Sequence, residues 1–80
     1  MAKGILAKEV LNEIREATSH LLKFPSQRMW IDYDEEADVL YISFKRPQKA
    51  TDSEMLEDGI LLRYRDDELV GVTILDASKR

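Results

Sequence analysis

Hydrophobic residues near the start of the chain recur at alternating intervals of three and four positions. The resulting stripe consists of Ala7, Val10, Ile14, Ala17, Leu21 and Phe24, and it is widened by Leu6 and Leu11. This spacing is typical of one face of an amphipathic α-helix. Pro25 ends the pattern, because its ring disfavours the helical conformation of the residue before it. The sequence therefore predicts a helix within residues 1–24.

Beyond a short linker at residues 25–28, the hydrophobic period changes to two, as half-buried β-strands require. The predicted strands cover residues 29–34, 39–44, 60–65 and 69–75. Tight polar turns connect the strands within each pair, and a longer polar loop at residues 45–58 joins the two pairs. Strands connected in this way predict an antiparallel meander.

Alternation along these strands assigns one face of the sheet that is entirely apolar or aromatic, here called the apolar face. It consists of Met29, Ile31, Tyr33, Leu40, Ile42, Phe44, Ile60, Leu62, Tyr64, Val70, Val72 and Ile74. This face needs a cover, and the helix stripe needs a surface. We therefore expect one α+β domain at residues 1–80, with the N-terminal helix packed on a four-stranded antiparallel meander sheet. The covering helix comes either from the same chain or from a partner chain, and the pattern leaves both open.

The opposite face of the sheet, here called the mixed face, combines charged residues with large hydrophobic ones. So many large apolar groups exceed what a solvent-exposed sheet face needs, and Trp, Tyr and Arg are enriched at interaction hot spots. The candidate partner surface predicted on this face consists of Trp30, Tyr41, Leu61, Arg63 and Leu75. The alternative is that these residues are scattered singly or shielded by the loop at residues 45–58.

Composition narrows the class of protein. The 80-residue chain has a net charge of −4 and no cysteine. A domain of this size buries only about 60–65% of its unfolded surface, so a homodimer or another protein partner would supplement its stability. The negative charge disfavours nucleic-acid binding, which depends on neutralising phosphates. Without a signal peptide or an apolar run near the ~20 residues that cross a bilayer, we expect a cytoplasmic protein without membrane contact.

Candidate chemistry is sparse. The acidic segment at residues 32–38 lacks the glycine and the ligand spacing of a calcium loop, which favours a solvated turn in which Asp38 bonds nearby backbone N–H groups. His20 is the sole histidine and has no cysteine or second histidine to complete a metal site. The sequence carries no recognisable catalytic triad or glycine-rich phosphate loop. We expect neither enzyme activity, nor a cofactor, nor a metal site.

Two segments resemble the signature stretches of a small bacterial and archaeal family. They read YDEEADVLYI at residues 33–42 and LVGVTILDAS at residues 69–78, and GILLRY at residues 59–64 resembles the family's middle strand. The family is domain-of-unknown-function family 2283, the YuzE-like proteins, and the resemblance covers about residues 29–78. The turn at residues 66–68 departs from the family's usual Asp-Gly type, and the helix at residues 1–24 is an extension that many relatives lack. The resemblance implies no established biochemical role, although some relatives are encoded beside small toxin-like proteins and are regarded as candidate antitoxins.

Three functions are compatible with these features. The leading hypothesis is a protein–protein interaction module, most concretely an antitoxin-like partner of a small basic protein, with charge complementarity favouring association. The first alternative is a nucleic-acid-binding regulator that uses Arg63 and Arg65, with Trp30 or Tyr41 as stacking groups. The second alternative is a small-ligand or metal sensor based on the acidic turn at residues 32–38.

Overall fold

The computed structural model describes the backbone of residues 3–80 and the side chains of residues 7–80. The elements in chain order are α1 (Lys3–Leu21), β1 (Trp30–Asp34), β2 (Val39–Ser43), β3 (Asp52–Met55), β4 (Ile60–Arg65), β5 (Glu68–Leu75) and a 3-10 helix (Ala77–Lys79). The predicted α+β class and antiparallel sheet are confirmed. The first two residues of the predicted helix, and the side chain of Leu6, lie outside the described residues. No helix in the described part of the chain is long and apolar enough to span a bilayer.

The sheet has five strands in the order β1-β2-β5-β4-β3, and every neighbouring pair is antiparallel. The predicted four-stranded meander is therefore wrong in two respects. Strand β3 lies within the predicted loop at residues 45–58, and β2 pairs with β5 instead of with the strand that follows the loop. Strand β3 has no alternating apolar pattern, because it is a fully exposed edge strand held by its backbone pairing to β4.

The centre of the sheet forms the core. Val70 in β5 is fully buried, and Ile42 and Val39 in β2 are also buried, as is Phe44 just beyond β2. A central strand that is covered on both faces is expected to be nearly continuously hydrophobic. The segment LVGVTIL within β5 fits that description, and this explains why the last strand of the chain occupies the middle of the sheet.

Cross-strand register confirms the two predicted faces up to a register shift in β4, beyond which Tyr64 of the apolar face pairs with Leu69, a residue that alternation does not assign to that face. On the apolar face, one row runs from Ile31 through Ile42, Val72 and Leu62 to Glu54. The neighbouring row on that face contains Tyr33, Leu40, Ile74 and Ile60. The register shift between Arg63 and Tyr64 interrupts the alternation near Gly71, as a β-bulge does.

Helix α1 ends at Leu21, three residues earlier than the stripe predicts. Two backbone bonds, Lys23 N to His20 O and Phe24 N to Leu21 O, tighten the chain into a turn after the helix. Phe24 then packs edge-on against Phe44, with ring centroids 6.0 Å apart and an interplanar angle of 85°. Phe24 therefore attaches the end of the helical segment to the margin of the sheet and is not part of the helix.

The helix does not pack on the sheet of its own chain, which corrects the expected helix-on-sheet layer. From residue 7 to residue 21, every side chain is exposed except Ala17, which is partly exposed. The stripe residues Val10 and Ile14 keep 53% and 52% of their surfaces exposed. The longest dimension of the molecule is 49 Å, because a 19-residue helix of about 28 Å extends away from the sheet. Amphipathic spacing predicts that a helix has a face to bury, but not which surface will bury it.

Candidate interaction surface

The five predicted surface residues all lie on the mixed face, in three adjacent rows. Trp30 and Arg63 lie in one row, Tyr41 and Leu61 in the next, and Leu75 beside Val39 in the third. Trp30 and Arg63 are separated by Ser43 and Gly71, so three strand spacings place their backbones about 14 Å apart. The structure therefore gathers the candidates on one surface without bringing Trp30 and Arg63 into direct juxtaposition.

The middle row is the most accessible apolar part of the mixed face. It runs from Asp32 through Tyr41, Thr73 and Leu61 to Met55. Tyr41 is 41% exposed and Met55 is 54% exposed, whereas Thr73 between them is buried. Met55 was not among the predicted surface residues, because it falls in the segment interpreted as a loop. The exposed side chains of Tyr41 and Met55 thus lie on either side of the buried Thr73. The carboxylate of Asp32 lies at the β1 end of the row.

The chain shields part of the mixed face itself. The segment between β2 and β3 places the side chain of Gln48 over Gly71, and Gln48 Nε2 donates a hydrogen bond of 2.6 Å to Ser43 Oγ. The space that a Cβ atom would occupy at Gly71 is thus taken by a side chain. The predicted shielding by the loop at residues 45–58 holds at Ser43 and Gly71, between Trp30 and Arg63, while Tyr41 and Met55 remain exposed.

The arginines of the nucleic-acid alternative have unlike surroundings. The Nε atom of Arg63 is buried and has no hydrogen-bond partner among the described residues. Arg65 is exposed at the end of β4 and lines a shallow depression with Lys45, Asp66, Asp67 and Glu68. Within that depression Lys45 Nζ lies 3.1 Å from Glu68 Oε1. Arg65 therefore lies among charges of both signs, which is a poor match for a phosphate backbone.

A hydrogen-bonded cluster joins the two signature segments. Asp38 Oδ1 accepts bonds from the Tyr33 hydroxyl at 2.6 Å and from Ser78 N at 2.9 Å, and Asp38 Oδ2 accepts one from Ser78 Oγ at 2.8 Å. The backbone contributes a further bond from Ala77 N to Asp38 O. The cluster therefore fastens the β1–β2 turn to the C-terminal 3-10 helix, across 40 positions of sequence.

These bonds change the acidity of both side chains. The hydrogen bond from Tyr33, followed by those from Ser78, holds the pKa of Asp38 below its ordinary value of 3.8. The same bond to Asp38 raises the pKa of the Tyr33 phenol above its ordinary value of 10.0, because the carboxylate stabilises the protonated hydroxyl. Asp38 is therefore an ionised hydrogen-bond acceptor at neutral pH, and Tyr33 is a hydrogen-bond donor.

The turn itself is stabilised by a different aspartate from the one expected. Asp34 Oδ1 accepts the backbone N–H of Ala37 at 3.1 Å, the role that the sequence assigned to Asp38. Asp38 has a positive φ of 56° at the end of this turn, a conformation that aspartate tolerates better than most residues. Among the described residues, no group of three or more His, Asp or Glu side chains is arranged to hold a metal ion. The side chain of His20 is exposed near the end of α1.

These features define a small α+β protein built on one five-stranded antiparallel sheet, with a helical extension and a polar cluster at the sheet margin. The family described as "Protein of unknown function (DUF2283)" matches residues 30–78, and the chain belongs to this family. The match begins at β1 and ends within the C-terminal 3-10 helix, so it includes Tyr33, Asp38 and Ser78 and leaves α1 outside. No curated protein and no solved structure matches the chain.

Proposed function

We propose that the protein is a protein–protein interaction module that presents its mixed face to a partner protein. The observation that carries the proposal is the row containing Tyr41, Leu61 and Met55, where an aromatic ring and a thioether remain exposed on a rigid sheet. Aromatic residues and methionine are enriched at protein interfaces. Because a sheet holds its side chains in fixed register, such a surface binds with little loss of conformational freedom.

The charges around this row favour a basic partner. Asp32 and Asp34 lie at the β1 edge of the mixed face, and both side chains are exposed. The whole chain has a net charge of −4. An apolar centre with an acidic rim would attract a small basic protein over a distance and discriminate against acidic ones. The proposal in its most concrete form is therefore an antitoxin-like function, in which the partner is a small basic protein.

The experiment that tests this proposal is gentle purification of the tagged chain from its own source, with and without nuclease. We expect one small basic protein at equal stoichiometry with the wild-type chain, retained after nuclease treatment. The Tyr41→Asp variant should lose it, and so should Met55→Asp, which alters the same row at a more exposed position. Gln27→Asp adds the same charge in the exposed linker and should keep the partner. Circular dichroism of each variant shows whether the sheet is intact.

Three outcomes would contradict the proposal. In the first outcome, no partner accompanies the wild-type chain. In the second, a folded Tyr41→Asp variant retains the partner as well as Gln27→Asp does. In the third outcome, nuclease removes everything that accompanies the chain. That result would favour the nucleic-acid-binding alternative with Arg63 and Arg65.

A further inference from the structure

The chain exposes more surface than a protein of its mass normally does. Its accessible surface is 6604 Å², whereas a folded monomer of 9.3 kDa exposes about 5,000 Å². Its radius of gyration is 14.8 Å, against about 11.6 Å for a compact chain of this length. The excess of about 1,600 Å² per chain is about twice what one partner contributes to a standard interface, and it falls within the range of obligate homodimers.

Two apolar surfaces contribute to this excess. The first is the stripe of α1, where Val10, Leu11 and Ile14 keep 53%, 47% and 52% of their surfaces exposed. The second is the apolar face of the sheet, where Ile31 and Tyr33 are 54% and 50% exposed. Each surface belongs to an element that normally buries one apolar side against another layer. The chain therefore carries both halves of a helix-on-sheet interface, and it leaves the helix stripe and the β1 side of the apolar face uncovered.

The width of the helix stripe indicates what kind of surface it fits. A two-stranded coiled coil needs only a narrow seam of residues such as Val10, Ile14 and Leu21. Here Leu11 follows Val10, and successive residues of an α-helix are about 100° apart around its axis. Leu22 extends the apolar side beyond Leu21 just after the helix and is 81% exposed. A stripe of this breadth fits the broad apolar face of a sheet better than the narrow seam of another helix.

The attachment of the helix explains why its own sheet does not receive it. Phe24 is fixed against Phe44 at the sheet margin, and Ser26 Oγ bonds the carbonyl oxygen of Phe44 at 3.3 Å. From this point α1 extends outward, which produces the long dimension of 49 Å. A helix that projects beyond its own sheet is placed to reach the sheet of a neighbouring molecule.

We infer that two copies of this chain exchange their N-terminal helices, so that α1 of each copy packs on the apolar face of the other. A two-fold axis makes the two contacts identical, and each copy donates one helix and receives one. The exchange would cover Ile14 of one copy and Ile31 of the other, two side chains that keep 52% and 54% of their surfaces exposed in the single chain. The mixed face lies on the other side of the sheet, so this dimer leaves the surface of the proposed function free.

The full-length chain allows a direct test because it contains no cysteine. Ile14→Cys and Ile31→Cys are prepared as separate single-cysteine variants, mixed, re-equilibrated and treated with a short bis-maleimide. We expect a cross-linked dimer that contains one chain of each variant. The matched control replaces Ile31→Cys with Met55→Cys, which has the same 54% exposure on the mixed face and should give no mixed product.

Two results would overturn the inference. If Ile14→Cys cross-links only to itself and gives no mixed product with Ile31→Cys, the helices pair with each other. If every mixture stays uncross-linked and the chain sediments as a monomer, the copies do not exchange their helices. As a second measurement, Ile14→Asp should raise the dimer dissociation constant at least about tenfold, because it places a charge in the apolar contact. An unchanged constant for this folded variant would also refute the exchange.

Discussion

Gly71 in the central strand lies beneath the side chain of Gln48, and this contact makes a quantitative prediction. A Cβ atom at Gly71 would overlap Gln48 Nε2 and lie 2.8 Å from Gln48 Cδ. The Gly71→Ala substitution should therefore expel Gln48 and break its bond to Ser43. The lost hydrogen bond costs about 1 kcal/mol. Alanine in place of a strand glycine stabilises the protein by about 0.5–1 kcal/mol. The net change in wild-type stability is therefore small.

The same substitution should behave differently once Gln48 has been truncated. In a Gln48→Ala background the hydrogen bond is already absent, so Gly71→Ala should stabilise the protein by about 0.5–1 kcal/mol. The double-mutant cycle therefore predicts a coupling free energy of about 1 kcal/mol between the two positions. Urea unfolding of the four proteins at one fixed protein concentration measures it. The Gln27→Ala variant, altered in the exposed linker, should show no coupling to Gly71→Ala. Additive effects of Gly71→Ala and Gln48→Ala would refute the proposed contact.

Three further predictions concern the turn, the polar cluster and the core. In the turn between β4 and β5, Asp66 has a positive φ of 56°, so Asp66→Ala should lower the free energy of unfolding by about 1 kcal/mol. Asp66→Gly and Asp67→Ala should not lower it, and thermal unfolding compares the three variants. Because the folded pKa of Asp38 is lowered, its stabilising contribution is fully present above pH 3.8 and is lost as the pH falls through the lowered value. The urea midpoint of unfolding should therefore fall more steeply with acid in the wild type than in Asp38→Asn. Equal slopes would contradict the role of ionised Asp38 as a hydrogen-bond acceptor. Val70→Ala removes methyl groups from a fully buried side chain and should cost about 2 kcal/mol, seen as a fall in Tm of roughly 10 °C; an unchanged Tm would place Val70 outside the core.

Local periodicity identified most of the elements, because helix and strand leave different spacings of hydrophobic residues. Strand β4 has the predicted bounds Ile60–Arg65, and β2 differs from its predicted range by one residue at its end. The strand order could not be predicted from this periodicity. The pairing of β2 with β5 depends on where a long connection crosses the sheet, and the polar sequence of β3 does not reveal that it pairs.

The sequence predicted which residues share the mixed face, but only in part which of them are exposed. Alternation placed Trp30 and Tyr41 on one face, and register confirms it. Alternation could not show that Gln48 would shield the centre of that face, because the shielding comes from a side chain in a loop. The contact between Asp38 and Ser78 was missed for a related reason: it joins positions 40 residues apart, and no local spacing records it. The one available signal was that both residues lie in the two signature segments.

The inferred helix exchange makes the apolar surfaces of this chain contact surfaces, part of which only a second copy covers. The most direct test is the solution mass of the purified full-length chain by light scattering, measured across a range of micromolar concentrations. We expect a mass close to twice the 9.3 kDa of one chain, and a mass that falls toward that of one chain for Ile14→Asp. A wild-type mass of 9.3 kDa at every concentration would contradict the exchange, since the stripe of α1 and the exposed Ile31 and Tyr33 of the apolar face would then remain uncovered in solution.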